Sequence, residues 1–213
     1  YVIENYELCY APSAGTLLHC LAAPHSSLQQ VVLLGVADAQ MPEVQGEVNT
    51  LASLSPNSLV LLDDQATIEA LREHGPTADV LHLACHGQFR PDNPLFSALR
   101  LANGWFTVYD AYELDLHCDV VSLSACETGM NMVVPGDELI GLARGFFAAG
   151  ARSLLVSLWT ADDAATAQLM GLFYTRLFAG DTPAAALRHA QRVLLVELEH
   201  PFFWAPFVLL GRW

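Results

Sequence analysis

Lysine is absent from this 213-residue chain, so all nine basic residues are arginines. Without lysine the chain can form neither a Walker-A phosphate loop nor a lysine Schiff base. The nine arginines face 23 acidic residues, and the resulting net charge of −14 repels phosphate backbones. We therefore expect no binding of nucleic acid, whereas a basic peptide would be attracted.

Long apolar runs are also missing, although 53% of the residues are hydrophobic. No run approaches the roughly 18 residues that cross a bilayer, so no membrane partner is predicted. The five cysteines are an odd number and include no CxxC pair, which is typical of free thiols in a reducing compartment. Together with the lack of a signal peptide, this predicts a cytoplasmic protein.

Short apolar runs alternate with longer amphipathic stretches along the whole chain. The runs that read as buried strands are 6–11, 31–37, 58–63, 79–85, 119–125 and 152–159. The stretches that read as helices are about 14–22, 42–54, 66–74, 137–149, 163–179 and 183–198. This alternation predicts an α/β fold, with a mostly parallel sheet of about six strands and helices on both faces. Asn103 and Gly104, between two short extended runs, predict a β-hairpin over 97–108.

Two of the predicted strands end in reactive residues. "DVLHLACHGQF" places His86 and Gly87 at the carboxyl end of one, and "DVVSLSACETG" places Cys126 at the carboxyl end of the next long one. Ligands bind outside these ends in open parallel sheets, so His86 and Cys126 would converge if the strands are neighbours. A thiolate and an imidazole suffice for acyl transfer from a peptide bond. The N–H groups of Gly87 and Cys126 could hold the oxyanion of the intermediate.

The residues alone leave simpler interpretations open. Most buried thiols are inert, so a solvated His86 beside an unrelated buried Cys126 would account for the same pattern. His82 lies inside its strand and is expected to be a core residue with its hydrogen bonds satisfied. The nearby histidines and cysteines lack the spacing of zinc ligands, so no metal or other cofactor is predicted. The remaining thiols are interpreted as structural: Cys9, Cys20, Cys85 and Cys118.

Several longer blocks together resemble the CHAT family, and they occur in the family's order. They are "LHLACHGQF", "LRLANG", "VVSLSACETG", "GDELIGLARGFFAAGARSLLVSLW", "DDAATAQLMGLFYTRL", "AALRHAQRVLL" and "HPFFWAPFVLLG". The resemblance spans nearly the whole chain and implies a caspase-like three-layer sandwich. CHAT domains usually follow TPR or other repeats. We therefore interpret 1–213 as a single CHAT domain, a C-terminal fragment of a longer multidomain protein.

The same resemblance implies a function and a catalytic pair. The family's catalytic histidine falls on His86 and its catalytic cysteine on Cys126. The implied activity is that of a cysteine endopeptidase, a thiol protease acting on a protein or peptide substrate without a cofactor. An attached sensor or repeat domain would control it. Two alternatives remain: a catalytically idle caspase-like module for interaction or signalling, and a small-molecule acyl hydrolase or transferase that uses the same pair.

Fewer residues bear on substrate preference. In metacaspases that cleave after arginine an aspartate stands two residues before the cysteine, and that position here is Ser124. Separases place an acid after a Leu-Trp strand end, where this chain has Trp159, Asp162 and Asp163. These four residues are the candidates for the substrate pocket, although either aspartate could instead cap the next helix. The Gly-flanked loop 128–137 beside the site is expected to move or be cut.

Overall fold

The structure is a computed structural model that describes residues 1–22, 28–88, 90, 93–127 and 138–213. For residues 94, 125–127 and 138–141 it describes the backbone alone, and the predicted loop 128–137 lies outside the described residues. The strands in these ranges are β1 (Val31–Gly35), β2 (Leu59–Leu62), β3 (Val80–Gln88), β4 (Ala98–Leu101), β5 (Gly104–Thr107), β6 (Val120–Glu127), β7 (Ser153–Ser157) and β8 (Phe207–Gly211).

The strands form one sheet with the order β2-β1-β3-β6-β7-β8. The pairs β1–β2, β1–β3, β3–β6 and β6–β7 are parallel, and β8 runs antiparallel to β7. The hairpin β4–β5 is antiparallel and joins the sheet beside the last residues of β3. The mostly parallel sheet and the hairpin predicted over 97–108 are both confirmed.

The predicted strand over 6–11 is wrong, because this segment forms a single bridge rather than a strand. Tyr10 donates its N–H to the Leu209 carbonyl and accepts the Gly211 N–H, while Tyr6 stays exposed. The sixth strand of the main path is β8, where Phe207 and Leu209 are buried and Val208 and Leu210 are half-buried. This alternation anchors β8 in the core, and segment 6–11 has no such set of buried residues.

The helices of the described residues are α1 (Ala14–Ala22), α2 (Val44–Leu54), α3 (Ile68–His74), α4 (Val108–Ala111), α5 (Glu138–Ala148), α6 (Asp163–Phe178), α7 (Pro183–Leu198) and α8 (Pro201–Trp204). Six helices lie close to the predicted ranges, and the two four-residue helices α4 and α8 were not predicted. Local capping sets several starts: the Thr182 hydroxyl accepts the Ala185 N–H, and Pro183 occupies the first helical position. None of the helices in the described ranges is long and apolar enough to span a bilayer.

The helices cover both faces of the sheet and create two cores. Val32 and Leu34 of β1 point to the core that includes α3, α4 and α5. Val31 and Leu33, the alternate residues of the same strand, point to the core formed with α2, α6 and α7. This period of two on a strand buried on both faces produces the three-layer sandwich.

A chain of polar side chains crosses the second core. His82 of β3 places its Nε2 atom 2.9 Å from Glu47 Oε1 of α2, close enough for an ion pair although not aligned as a hydrogen bond. The Tyr174 hydroxyl of α6 donates to Ser122 Oγ at 2.9 Å and lies 3.3 Å from His82 Nδ1. All four residues are buried, which confirms that His82 is a core residue. The predicted satisfaction of its hydrogen bonds is wrong for Nε2, which has no aligned hydrogen-bond partner in the described part of the chain. We call this set the buried network.

Candidate active site

The carboxyl ends of β3 and β6 lie side by side at one edge of the sheet. The parallel register runs from Val80 opposite Val120 to His86 opposite Cys126 and continues for one more pair. Asp79 aligns the other ends of these strands, because its carboxylate accepts the Gln29 and Gln30 N–H groups and its carbonyl accepts the Asp119 N–H. The fold therefore places residues 86 and 126 at the same level of adjacent strands.

His86 is held by an acidic residue that the sequence analysis did not select. Its Nε2 atom lies 2.7 Å from Asp38 Oδ2, and its side chain is only 12% exposed. The other ring nitrogen, Nδ1, is buried and has no hydrogen-bond partner among the residues whose side chains are described. Asp38 follows β1, the parallel neighbour of β3. The strand-end argument that selected His86 and Cys126 would also have selected Asp38 had it been applied to β1.

The other members of the predicted site are Gly87 and Cys126. Gly87 is buried and stands between Glu127 of β6 and Leu99 of β4. The side chain of Cys126 lies outside the described part of the structure. In the residues that are described, no cluster of three histidine, cysteine or acidic side chains could hold a metal ion.

The four other cysteines are free and poorly suited to act as nucleophiles. Burial raises the pKa of the Cys85 and Cys118 thiols to about 12 and that of Cys9 to about 11. Burial also raises the pKa of Cys20. Because the thiolate is the reactive form, these thiols are mostly protonated and inert at neutral pH.

The candidate pocket residues occupy the same edge of the sheet but have different surroundings. Ser124 is fully buried in β6, opposite Ala84, and its hydroxyl has no partner among the described side chains. Trp159 follows β7 and donates its indole N–H to the Phe202 carbonyl at 3.3 Å. Neither residue contacts His86 in a hydrogen bond described by the structure.

Both pocket aspartates bind backbone groups. Asp162 caps α6 by accepting the Ala165 N–H at 2.9 Å. Asp163 accepts the Glu43 N–H at 2.8 Å and so joins the start of α6 to the segment that leads into α2. Burial, together with the nearby carboxylates, raises the pKa of Asp163. Each aspartate has therefore committed one carboxylate oxygen to a structural bond.

Comparison with known protein families identifies the family of the chain. The family model described as "CHAT domain" matches residues 1–212. The chain belongs to the CHAT family. This membership confirms the resemblance that the sequence blocks indicated.

Two curated relatives of this CHAT domain are tetratricopeptide repeat proteins. Tetratricopeptide repeat protein 28 of Mus musculus is 30% identical over 158 residues, which cover 73% of this chain. The Homo sapiens protein of the same name is 37% identical over 107 residues, or 49% of this chain. The matched regions make up only 5% and 4% of those proteins. The CHAT domain thus spans a small part of the relatives it matches.

Two solved structures share the architecture of the CHAT domain. The Arg-specific cysteine proteinase gingipain R superposes with a TM-score of 0.65 at 12% identity, covering 87% of this chain and 46% of that chain. A complex of Porphyromonas gingivalis RgpB pro- and mature domains gives a TM-score of 0.62 at 11% identity, covering 87% and 47%. At this identity the likeness establishes a caspase-like fold alone.

Proposed function

We propose that this CHAT domain is a cysteine endopeptidase that hydrolyses peptide bonds in a protein substrate. The observation that carries the proposal is the β3–β6 register, in which His86 and Cys126 are Cα partners at adjacent strand ends. Partners on neighbouring strands are about 4.8 Å apart. A cysteine and a histidine at such positions can exchange a proton directly or across a bound peptide.

The proposed reaction has two halves. His86 accepts the thiol proton of Cys126, and the sulfur forms a bond to the carbonyl carbon of the scissile peptide. The N–H groups of Gly87 and Cys126 bind the resulting oxyanion, a contribution of typically about 3 kcal/mol for each such donor. The C–N bond then breaks and His86 returns the proton to the leaving amine. A water molecule next attacks the acyl-enzyme while His86 takes its proton, the C–S bond breaks, and the thiol is restored.

The proposed substrate pocket lies between the ends of β6 and β7. Ser124, Trp159, Asp162 and Asp163 are its candidate residues, and the two aspartates would act through the carboxylate oxygen not bound to a backbone N–H. The net charge of −14 favours a basic substrate peptide. We further propose that the domain works in the cytoplasm, attached to repeats of the tetratricopeptide kind that give its relatives their name.

A comparison of cleavage products tests the proposal. The protein in its natural full-length context is incubated with a proteome, and newly formed N-termini are identified by mass spectrometry. We expect new termini from the wild type and none from the Cys126→Ala or His86→Ala variants. Cys9→Ser is the matched control, since it replaces a half-buried thiol outside the site and should cleave like the wild type. Cleavage at the normal rate by Cys126→Ala would rule out the proposal.

Labelling with an irreversible thiol-directed peptide probe provides a second readout. We expect modification of Cys126 that depends on His86, because the histidine must remove the thiol proton. If the wild type shows neither cleavage nor labelling, the domain is an interaction module and the proposal is wrong. If it reacts with small acyl esters but with no peptide, it is an acyl hydrolase of small molecules.

A further inference from the structure

We propose that Asp38 is a positioning residue that keeps the proton of His86 on Nε2, so that Nδ1 is the nitrogen that exchanges protons with Cys126. The inference deepens the proposed peptidase function and rests on it. The observation behind it is the 2.7 Å contact between His86 Nε2 and Asp38 Oδ2. Sequence reasoning predicted a pair of catalytic residues, and Asp38 adds a third residue that acts through His86.

The chemistry of the contact fixes the tautomer. An ionised carboxylate only accepts hydrogen bonds, so the imidazole nitrogen that faces it must carry a proton. In the neutral ring the lone pair is then on Nδ1, which can act as the base. Burial acts to raise the pKa of Asp38, but hydrogen bonds from the Gln40 N–H, from His86 and from the Met41 N–H outweigh it. The pKa of Asp38 is therefore lowered, and the carboxylate is ionised at neutral pH.

The carboxylate of Asp38 is oriented by its own turn. Oδ1 accepts the Gln40 N–H at 2.8 Å and the Met41 N–H at 3.1 Å, which leaves Oδ2 directed at His86. Met41 is buried in the core between the sheet and α2. Although the side chain of Asp38 is 46% exposed, its direction is set by bonds that do not involve the histidine.

The segment that carries Asp38 is held from both sides. Before it, the Val36 N–H donates to the Ala84 carbonyl of β3, and the Ala37 N–H donates to Asp63 Oδ1 at 3.1 Å. After it, the Glu43 N–H donates to Asp163 Oδ2 at 2.8 Å. None of these bonds involves His86. The carboxylate is thus preorganised, which is what a group that orients a catalytic base requires.

The state of Nδ1 agrees with this assignment. The atom is buried and has no partner among the described side chains. Buried polar groups are nearly always hydrogen-bonded, so an exception calls for a functional reason. His86 and Cys126 are Cα partners in the β3–β6 register, and proton exchange with Cys126 would supply that reason. The geometry points to Nδ1 as the acceptor of the thiol proton.

Two substitutions of Asp38 distinguish its effect on the proton position in the His86 ring from its structural contacts with the Gln40 and Met41 N–H groups. Asp38→Asn retains an oxygen for the Gln40 and Met41 N–H groups but presents its NH2 group to His86. Nε2 must then accept, the proton moves to Nδ1, and the base is lost. Asp38→Ala removes the turn contacts but leaves both tautomers accessible.

We therefore expect the more conservative substitution to be the more harmful one. In a buried triad the Asp-to-Asn change lowers kcat about 10⁴-fold. For this half-exposed carboxylate we expect kcat/KM to fall about 10²- to 10³-fold in Asp38→Asn and about 10-fold in Asp38→Ala, with KM nearly unchanged. Asp38→Glu should recover most of the activity. A purely structural role predicts the opposite order, with Asp38→Ala worse than Asp38→Asn, and that order would overturn the proposal.

A readout that needs no catalysis completes the test. The tautomer of the neutral His86 imidazole is measured by ¹⁵N NMR in the Cys126→Ala background. We expect the proton on Nε2 when Asp38 is retained and on Nδ1 when the Asp38→Asn substitution is added. The matched control is Asp115→Asn, which changes an 89% exposed carboxylate 3.9 Å from His117 and should alter neither the activity nor the signals of His86.

The combined results distinguish the two proposals. If the tautomer switches on Asp38→Asn substitution as expected but the wild type cleaves no peptide, the peptidase function fails while the Asp38–His86 bond stands. A wild type that cleaves peptide, with a tautomer unchanged in Asp38→Asn, means that Asp38 does not position His86. Thermal unfolding of each variant shows whether lost activity reflects lost folding.

Discussion

Replacing Tyr174 with phenylalanine should lower the free energy of unfolding by about 2–4 kcal/mol. The change removes only the hydroxyl group from the buried network. The ring is retained and can still pack edge-on against Phe173, at a centroid distance of 5.1 Å, so no cavity forms. Burial raises the pKa of the Tyr174 phenol, and the group is therefore a protonated donor at neutral pH. The variant tests the contribution of its hydrogen bonds alone.

The magnitude follows from the two partners that the hydroxyl leaves behind. Ser122 Oγ is 2.9 Å from it and His82 Nδ1 is 3.3 Å from it, and both residues are fully buried. Each polar group left unsatisfied costs about 1–3 kcal/mol. The Ser122 hydroxyl can rotate toward another acceptor, which recovers part of the loss. A sum of about 2–4 kcal/mol is a large fraction of the roughly 5–15 kcal/mol that stabilises a typical domain.

Urea unfolding followed by circular dichroism measures the effect. We expect the midpoint to fall by roughly 1 M without a change in slope. Tyr109→Phe is the matched control, because Tyr109 is 65% exposed and its change should stay within about 0.5 kcal/mol. The double variant with Ser122→Ala should lose less than the sum of the single losses, since it removes both partners. A Tyr174→Phe midpoint equal to that of the control would refute this reasoning.

Two further predictions concern a turn and a thiol. Gly150→Ala should destabilise by about 3 kcal/mol or more, because φ is +111° and a Cβ atom would collide with the Leu116 carbonyl. Gly180→Ala, with φ of +100° and no described atom within 4 Å, should cost only the backbone strain of about 1–2 kcal/mol. Equal losses in thermal unfolding would contradict this. In the Cys126→Ala variant, alkylation of Cys9 should accelerate about tenfold per pH unit toward pH 11, because burial raises its pKa to about 11; rapid alkylation at pH 7, detected by peptide mapping, would be inconsistent.

Local signals explain why the helices were predictable. Thr182 caps α7 and Pro183 is its first helical residue. The start of this helix is therefore determined by adjacent residues that can be read from the sequence. The strands β3 and β6 were predictable because long apolar runs suit only a strand covered on both faces. Segment 6–11 has the same apolar appearance, but whether an edge segment pairs depends on its distant partner. Its bonds to β8 join residues that lie about 200 positions apart.

The candidate site also contains residues that could be predicted from the sequence and one that was not predicted. His86 and Cys126 lie near the ends of two strands that could be inferred to be neighbours, so their pairing in the register was predictable. The contact between Asp38 and His86 joins residues 48 positions apart. Locally, Asp38 has the appearance of an ordinary turn residue, because its carboxylate does accept two nearby N–H groups. The contact of the same carboxylate with His86 cannot be predicted from the neighbouring residues in the sequence. It follows instead from the position of Asp38 after the end of β1, the parallel neighbour of β3.

The buried network also determines where the site can form. His82 and His86 lie four positions apart on β3. A slip of β3 by one residue would turn His82 to the opposite face, toward a core lined by Leu71 and Phe146. The polar partners of His82 lie on one face only, so the slipped strand would bury an unpaired imidazole and separate it from the Glu47 carboxylate. Burial of His82 beside these partners therefore favours the register in which residue 86, rather than a neighbour, lies opposite residue 126.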